Sequence, residues 1–178
     1  GEYIARIDAD DIALPERFQK QVEFLDSHPD YGVVGSSAEV IDENGVIVDT
    51  FDYEETDKEI KSNLIKWNPI IHPVVMMRKA VLEQVGGYDE SFRFAQDYDL
   101  WFRLAPITKM ANLPDKLLYY RVSKKSITAS SNKAQATCAL RARWNAIRSG
   151  TYSPFHIVYL IRPILGMLLP KSFKQMYK

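Results

Sequence analysis

Residues 3–11 read YIARIDADD, an apolar strand-like run that passes directly into three carboxylates, Asp8, Asp10 and Asp11. Bulky residues favour a strand, and the acids that end it place that strand's tip at solvent or at a ligand. In an extended chain Asp8 and Asp10 share one face, and where the strand bends into a loop both turn toward one point. Two hard oxygen ligands one residue apart suit Mg2+ or Mn2+, ions that keep waters and take further oxygens from a substrate phosphate. The pair reads as the protein side of a metal-diphosphate site. The competing reading is that these acids cap the next helix and cover a loop, and for Asp11 the two readings are balanced.

The rest of the chain alternates strand and helix signals, which predicts a mixed α/β fold. YIARI itself is expected to be an interior strand of a sheet larger than this chain. Pro15 and Glu16 mark a helix start, Phe18, Val22 and Leu25 recur at helical spacing, and the helix stops near SHPD. SAEVI and VIVDTF flank DENG, a hairpin with Asn44-Gly45 in its turn. Thr56 and Glu59 have capping-box spacing ahead of Ile60, Leu64 and Ile65. PVVMM reads as a buried strand, KAVLEQV as a short helix closed by Gly86-Gly87, and QDYDLWFRLA as a helix stopped by Pro106. KMANL and KLLYYRV read as two strands separated by PD, and residues 131–149 as a longer helix ending at Gly150.

Composition narrows the function classes. The chain has 178 residues, about one domain's length. Its 23 basic and 23 acidic residues cancel, which removes the footprint of a generic nucleic-acid binder, so no nucleic-acid partner is expected. Cys138 is the only cysteine, which excludes an intrachain disulfide and points to a reducing, cytoplasmic compartment. The start lacks the basic and apolar pattern of a signal peptide.

A second acidic cluster lies in FRFAQDYDLWFRL. Asp97 falls at the start of the predicted helix, after the loop opened by Gly86-Gly87, where a carboxylate is poised to take a proton from an incoming hydroxyl or simply to cap the helix. Asp99 is nearly opposite it on a helix and is expected to be structural. Leu100, Trp101 and Leu104 are expected to pack into the core. His72, after an apolar pair and before Pro73, either lines an acceptor site or is a satisfied structural histidine. Arg121 either reaches a diphosphate or is an exposed strand arginine. His28, His156, Arg78 and Lys79 read as structural or solvated.

GEYIARIDADDIALPERFQKQVEFLDSHPDYGVVGS, IIHPVVMMRKAVLEQVGGYDE, AQDYDLWFRLA and LLYYRVSKKSIT, in that order and spacing over residues 1 to about 130, resemble the second half of a family-2 glycosyltransferase. Phosphotransferases of the haloacid dehalogenase type also end a strand in D-x-D, but they place a hydroxyl residue soon after, where this chain has Asp11, Ile12 and Ala13. The resemblance implies a partial GT-A fold, a mixed sheet flanked by helices that lacks the N-terminal nucleotide-binding strands. It also implies a nucleotide-sugar donor, a saccharide or lipid-linked acceptor, a divalent cation and inversion at the anomeric carbon. Asp8-Ala9-Asp10 matches the D-x-D motif, with Asp10 the direct metal ligand and Asp8 at the metal and nearer the sugar or ribose. Asp97 matches the catalytic base at the end of the acceptor-site E-D motif, and Gln96 stands where that motif often has Glu. Asp11, Gln96, His72 and Arg121 are the further substrate-binding candidates. Ser123 follows YRV where many relatives have a histidine, which leaves Lys124 and Lys125 as the alternative source of charge there.

Residues 1–130 are thus expected to form the metal and acceptor half of a transferase domain, and residues 131–178 a helical extension. The apolar run PFHIVYLIRPILGMLLP within that extension is too short to span a bilayer. Flanked by Lys171, Lys174 and Lys178, it predicts either a peripheral contact with the inner face of a membrane or an interface with missing sequence or a second copy of the chain. The alternative for the whole chain is a non-catalytic metal-binding or self-associating module.

Overall fold

The structure, a computed structural model, describes residues 1–122 and 132–168; Ser123, Lys124, Lys125, Lys171, Lys174 and Lys178 lie outside them. In chain order the elements are β1 (Tyr3–Ala5), β2 (Ile12–Ala13), α1 (Arg17–Ser27), β3 (Tyr31–Ile41), β4 (Ile47–Phe51) and α2 (Asp57–Leu64). A 3-10 turn (His72–Val74), β5 (Met76–Arg78), α3 (Lys79–Gln84), α4 (Gln96–Leu104) and β6 (Lys109–Arg121) follow. The chain then forms α5 (Asn132–Arg148), a second 3-10 turn (Pro154–Ile157) and α6 (Val158–Leu168).

The sheet runs in the order β1-β5-β3-β6-β2, with β4 paired to the distal part of β3. β3 and β6 are parallel, and the other pairings are antiparallel. Side chains alternate across the central strand. Val33 enters the main core with Ile60 and Leu64 of α2, Leu100, Trp101 and Leu104 of α4, and Ala142 and Ala146 of α5. Val34 faces the other way, onto Leu25 of α1 and Met76. The sheet is therefore covered by helices on both faces, and α5 shares the main core with α2 and α4.

Several elements differ from their sequence signals. The sequence signal marks only residues 37–41 of the central strand, whereas β3 runs from Tyr31 to Ile41 through Gly32 and Gly35. Both glycines serve close approach: an added Cβ would lie 2.5 Å from Thr108 Oγ1 at position 32 and 2.3 Å from Asn112 Oδ1 at position 35. The two strands expected around Pro114-Asp115 are one, β6, whose register slips there so that Leu113 faces Ser36 and Lys116 faces Ser37. The slip leaves Pro114, which has no N–H, outside the ladder. PVVMM is not one strand: His72 O accepts from Val75 N in a 3-10 turn with Pro73 in its first positions, and pairing starts only at Met76. On α1 the buried side chains are Arg17, Gln21 and Leu25, while Phe18 is exposed.

The local signals elsewhere match. Thr56 caps α2, accepting from Glu59 N at 3.4 Å while its hydroxyl donates to Glu59 Oε2 at 2.6 Å. Gly45, Gly86, Gly87 and Gly150 all take positive φ, closing the hairpin, α3 and α5.

Candidate functional site

β1 and β2 sit at opposite ends of the strand order, so the loop between them carries Asp8, Asp10 and Asp11 from one side of the sheet to the other. A turn in which Asp11 N donates to Asp8 O at 3.2 Å gathers the three carboxylates. Two arginines that belong to other elements hold this loop by its backbone. Arg17, fully buried at the start of α1, donates from Nη2 to Arg6 O at 2.5 Å and to Val75 O at 3.3 Å. Its Nε donates to Gln21 Oε1 at 3.1 Å. Burial pulls the Arg17 guanidinium down to about 10, with Asp11 acting in the opposite sense. Arg121, at the end of β6, donates from Nε to Asp10 O at 2.9 Å and from Nη1 to Asp42 O at 2.9 Å. Its guanidinium therefore ties the carboxylate loop to the β3–β4 hairpin.

The carboxylates differ in what they meet. Asp8 pairs with Arg6 at 2.5 Å, with both side chains well over a third exposed, so the pair contributes little to stability. Asp10 is exposed. Asp11 accepts from Arg121 N at 2.8 Å through Oδ1, while its Oδ2 is buried without a partner. Burial, followed by the negative charges of Asp10 and Asp8, pushes the Asp11 carboxyl up to about 6, against the Arg121 N–H. Crowded negative charge of this kind is what a bound cation relieves. Among the described residues no group of three or more His, Cys, Asp and Glu is arranged to hold a metal ion by itself. The donor set fits an ion that takes one or two carboxylates and completes its shell with water and phosphate oxygens.

The second cluster is built by strain. Ala95, just ahead of α4, takes a left-handed conformation at φ 54° and ψ 33°. Such a backbone costs about 1–3 kcal/mol in a residue other than glycine, and it turns Gln96 and Asp97 out at the helix start. Asn68 Nδ2 donates to Asp97 Oδ2 at 2.8 Å and sets the orientation of that carboxylate. Gln96 is exposed. Asp99, on the other side of α4, is buried and paired with Arg103 at 2.8 Å. Arg103 Nη1 also donates to Val85 O and Gly87 O, both at 2.8 Å, which fixes the turn that leads to Tyr88.

His72 and Tyr88 join the two clusters. His72 Nε2 and Tyr88 Oη share a hydrogen bond of 2.8 Å, and the imidazole stands edge-on to Trp101. Burial pulls His72 down, Asp97 and Asp8 pull it up, and Arg6 adds to the lowering. Burial also raises Tyr88, which feels the same three charged groups. Asp8 and Asp97, far apart in sequence, thus act on one histidine-tyrosine pair. Of the residues singled out from sequence, Asp8 and Asp97 both act by charge on His72, Asp10 and Asp11 share the Asp8 loop, and Arg121 ties that loop down. Arg6, Arg17, Asn68 and Tyr88 carried no sequence signal as site residues. A cavity of about 630 Å³ lined by Asp99, Phe102, Arg103, Ala142 and Ser149 lies elsewhere; Asp8, Asp10, Asp11 and Asp97 are not part of its lining.

A family model described as Glycosyltransferase like family 2 matches residues 1–146. An uncharacterized glycosyltransferase of Methanocaldococcus jannaschii is 38% identical over 137 residues, 76% of this chain and 47% of that protein. The O-antigen biosynthesis glycosyltransferase WbnJ of Escherichia coli is 34% identical over 155 residues, 85% of this chain and 59% of that protein. The chain therefore spans about half the length of the curated relatives it matches. In architecture it is similar to a mannosyltransferase from Pyrobaculum calidifontis in complex with GDP-Man and Mn2+. The TM-score is 0.57 at 18% identity, covering 95% of this chain and 46% of that one.

Proposed function

The chain belongs to the glycosyltransferase-like family 2 and has part of the GT-A fold, and from that premise we propose that it is the metal and acceptor half of an inverting, nucleotide-sugar-dependent transferase. The observation that carries the reading is the placement of Asp97 at the start of α4, its carboxylate oriented by Asn68, together with the turn that gathers Asp8, Asp10 and Asp11 near enough for the charges of Asp8 and Asp97 to act on the same His72–Tyr88 pair. A relative named for O-antigen biosynthesis supports cell-surface polysaccharide synthesis. A saccharide or lipid-linked acceptor, and a cytoplasmic place peripheral to the inner face of the membrane, belong to the same proposal.

In this reading Asp10, with Asp8, would hold a divalent cation, Mg2+ or Mn2+. When bound, such an ion supplies positive charge to a departing diphosphate. The chain's own residues do the rest. Asn68 fixes one oxygen of Asp97 and leaves the other to accept the proton of the acceptor hydroxyl. The acceptor oxygen forms its bond to the anomeric carbon as the bond to the diphosphate oxygen breaks, and the diphosphate leaves with the electron pair. One displacement inverts the centre, and Asp97 acts as a base rather than as the nucleophile of a retaining hydrolase. Burial favours the neutral form of His72, against the pull of Asp97 and Asp8, and its Nε2 shares a hydrogen bond with Tyr88 Oη. Arg121 and Arg17 keep the carboxylate loop in place through its carbonyls.

The test is calorimetric titration of the chain with UDP and with GDP, each with and without Mn2+, repeated on Asp10→Ala. Metal-dependent binding that disappears in the variant supports the assignment. Nucleotide binding that is indifferent to Mn2+ and to Asp10 refutes the role given to this loop.

A further inference from the structure

Charge along this chain is divided in a way that its zero net charge hides. No acidic residue follows Asp115, so all 23 lie in residues 1–115, while residues 116–178 hold twelve of the 23 basic ones. The acid-free stretch also carries the largest run of exposed apolar side chains among the described residues. Phe155 is 90% exposed, and Ile157, Val158, Ile161 and Ile164 are each at least 41% exposed. Val158, Ile161 and Ile164 recur every three residues and so share one stripe of α6. Leu160, on another side, is buried and fastens the helix to the body.

We infer that residues 154–164 form an interfacial segment that lies on an anionic lipid surface, with the apolar stripe among the acyl chains and the neighbouring Lys66 and Arg148 at the headgroups. Three observations favour lipid over the other occupants. Among the described residues no helix is long and apolar enough to cross a membrane, so the segment suits lying in the interface rather than spanning it. Aromatic and basic groups suited to the headgroup level stand on neighbouring elements: Trp144 and Arg148 are exposed on α5, and the Lys66 ammonium lies 5.9 Å from the centre of the Tyr159 ring. A second copy facing this one through the same patch would bring the Lys66 and Arg148 of both copies to one interface, which like-charge repulsion opposes. An anionic bilayer complements both the apolar face and the charge. This surface is independent of the transfer chemistry proposed above.

The test is co-sedimentation of the full chain with vesicles of phosphatidylcholine alone and of phosphatidylcholine mixed with phosphatidylglycerol, at low and at high salt. Binding is expected on the mixed vesicles only and weakens as salt rises. It should fall about tenfold or more in Ile161→Glu with Ile164→Glu, and by a smaller factor in Phe155→Ala, whose exposed ring plays no part in folding. Circular dichroism checks that the variants are folded. The inference is overturned if the chain ignores the mixed vesicles, or if the substitutions leave binding unchanged. It is also overturned if light scattering without lipid shows a dimer that the substitutions dissociate. None of these results bears on the nucleotide titration, so the two readings fail separately.

Discussion

Gly35→Ala tests how the sheet positions the acceptor side of the site. Gly35 on β3 stands in register with Asn112 on β6, and an added Cβ would lie 2.3 Å from Asn112 Oδ1 and 3.4 Å from its Cγ. The asparagine cannot swing aside freely. Its Nδ2 donates to Glu54 O at 2.7 Å and to Pro69 O at 2.9 Å, and these two bonds fasten both ends of the segment that contains α2 to the sheet. Moving the side chain gives up both bonds and strands one buried and one part-buried carbonyl, at about 1–3 kcal/mol for each stranded group, so the expected loss is about 2–6 kcal/mol. Pro69 adjoins Asn68, so the Asp97 carboxylate should lose its orientation as well. Urea denaturation measures the loss, read as a fall in midpoint at unchanged slope. A double-mutant cycle with Asn112→Ala isolates the cause: once the Asn112 amide is gone, adding Ala at 35 should cost less than about 1 kcal/mol. Full additivity, or a loss below about 0.5 kcal/mol for Gly35→Ala alone, would refute the reasoning.

Two further outcomes follow from the site. Asp11, raised to about 6 in the folded chain against an ordinary value of about 4 when unfolded, binds more protons folded than unfolded across that interval. Its contribution to stability is present below about pH 4 and lost as pH rises through about 6. Asp11→Asn removes that slope, so urea midpoints should favour the variant relative to the native chain more at pH 7 than at pH 4. Asp97→Asn should leave nucleotide affinity within about twofold while lowering the rate of sugar transfer by about 10²–10⁴, read in a transfer assay; an equal loss of affinity would place Asp97 in binding instead.

Short-range features were legible because their causes are short-range. The Thr56 cap, the Asn44-Gly45 turn and the Gly86-Gly87 stop each rest on a few adjacent residues, and each is where the spacing predicts it. The acids at positions 8, 10 and 11 were legible as a charged stretch just past a strand for the same reason. The full length of the central strand was not, since Gly32 and Gly35 look like breaks until Thr108 and Asn112 lie against them. The same is true of Pro114, which ends a strand by local rules but sits in a bulge of β6 once β3 is alongside.

What the sequence determined alone is therefore chemistry by type and spacing: two carboxylates one residue apart, another at a helix start, an apolar stretch with no acids near it. What only the tertiary structure decided is which of these meet. Arg17 is polar and would be assigned to solvent, yet it is buried because the ends of β1 and β5 offer it the carbonyls of Arg6 and Val75. The charges of Asp8 and Asp97 both reach His72 because the sheet order and the 3-10 turn before β5 set the histidine within range of both loops. Electrostatic contact depends on distance through space, and that distance is set by packing between elements whose local patterns carry no information about one another.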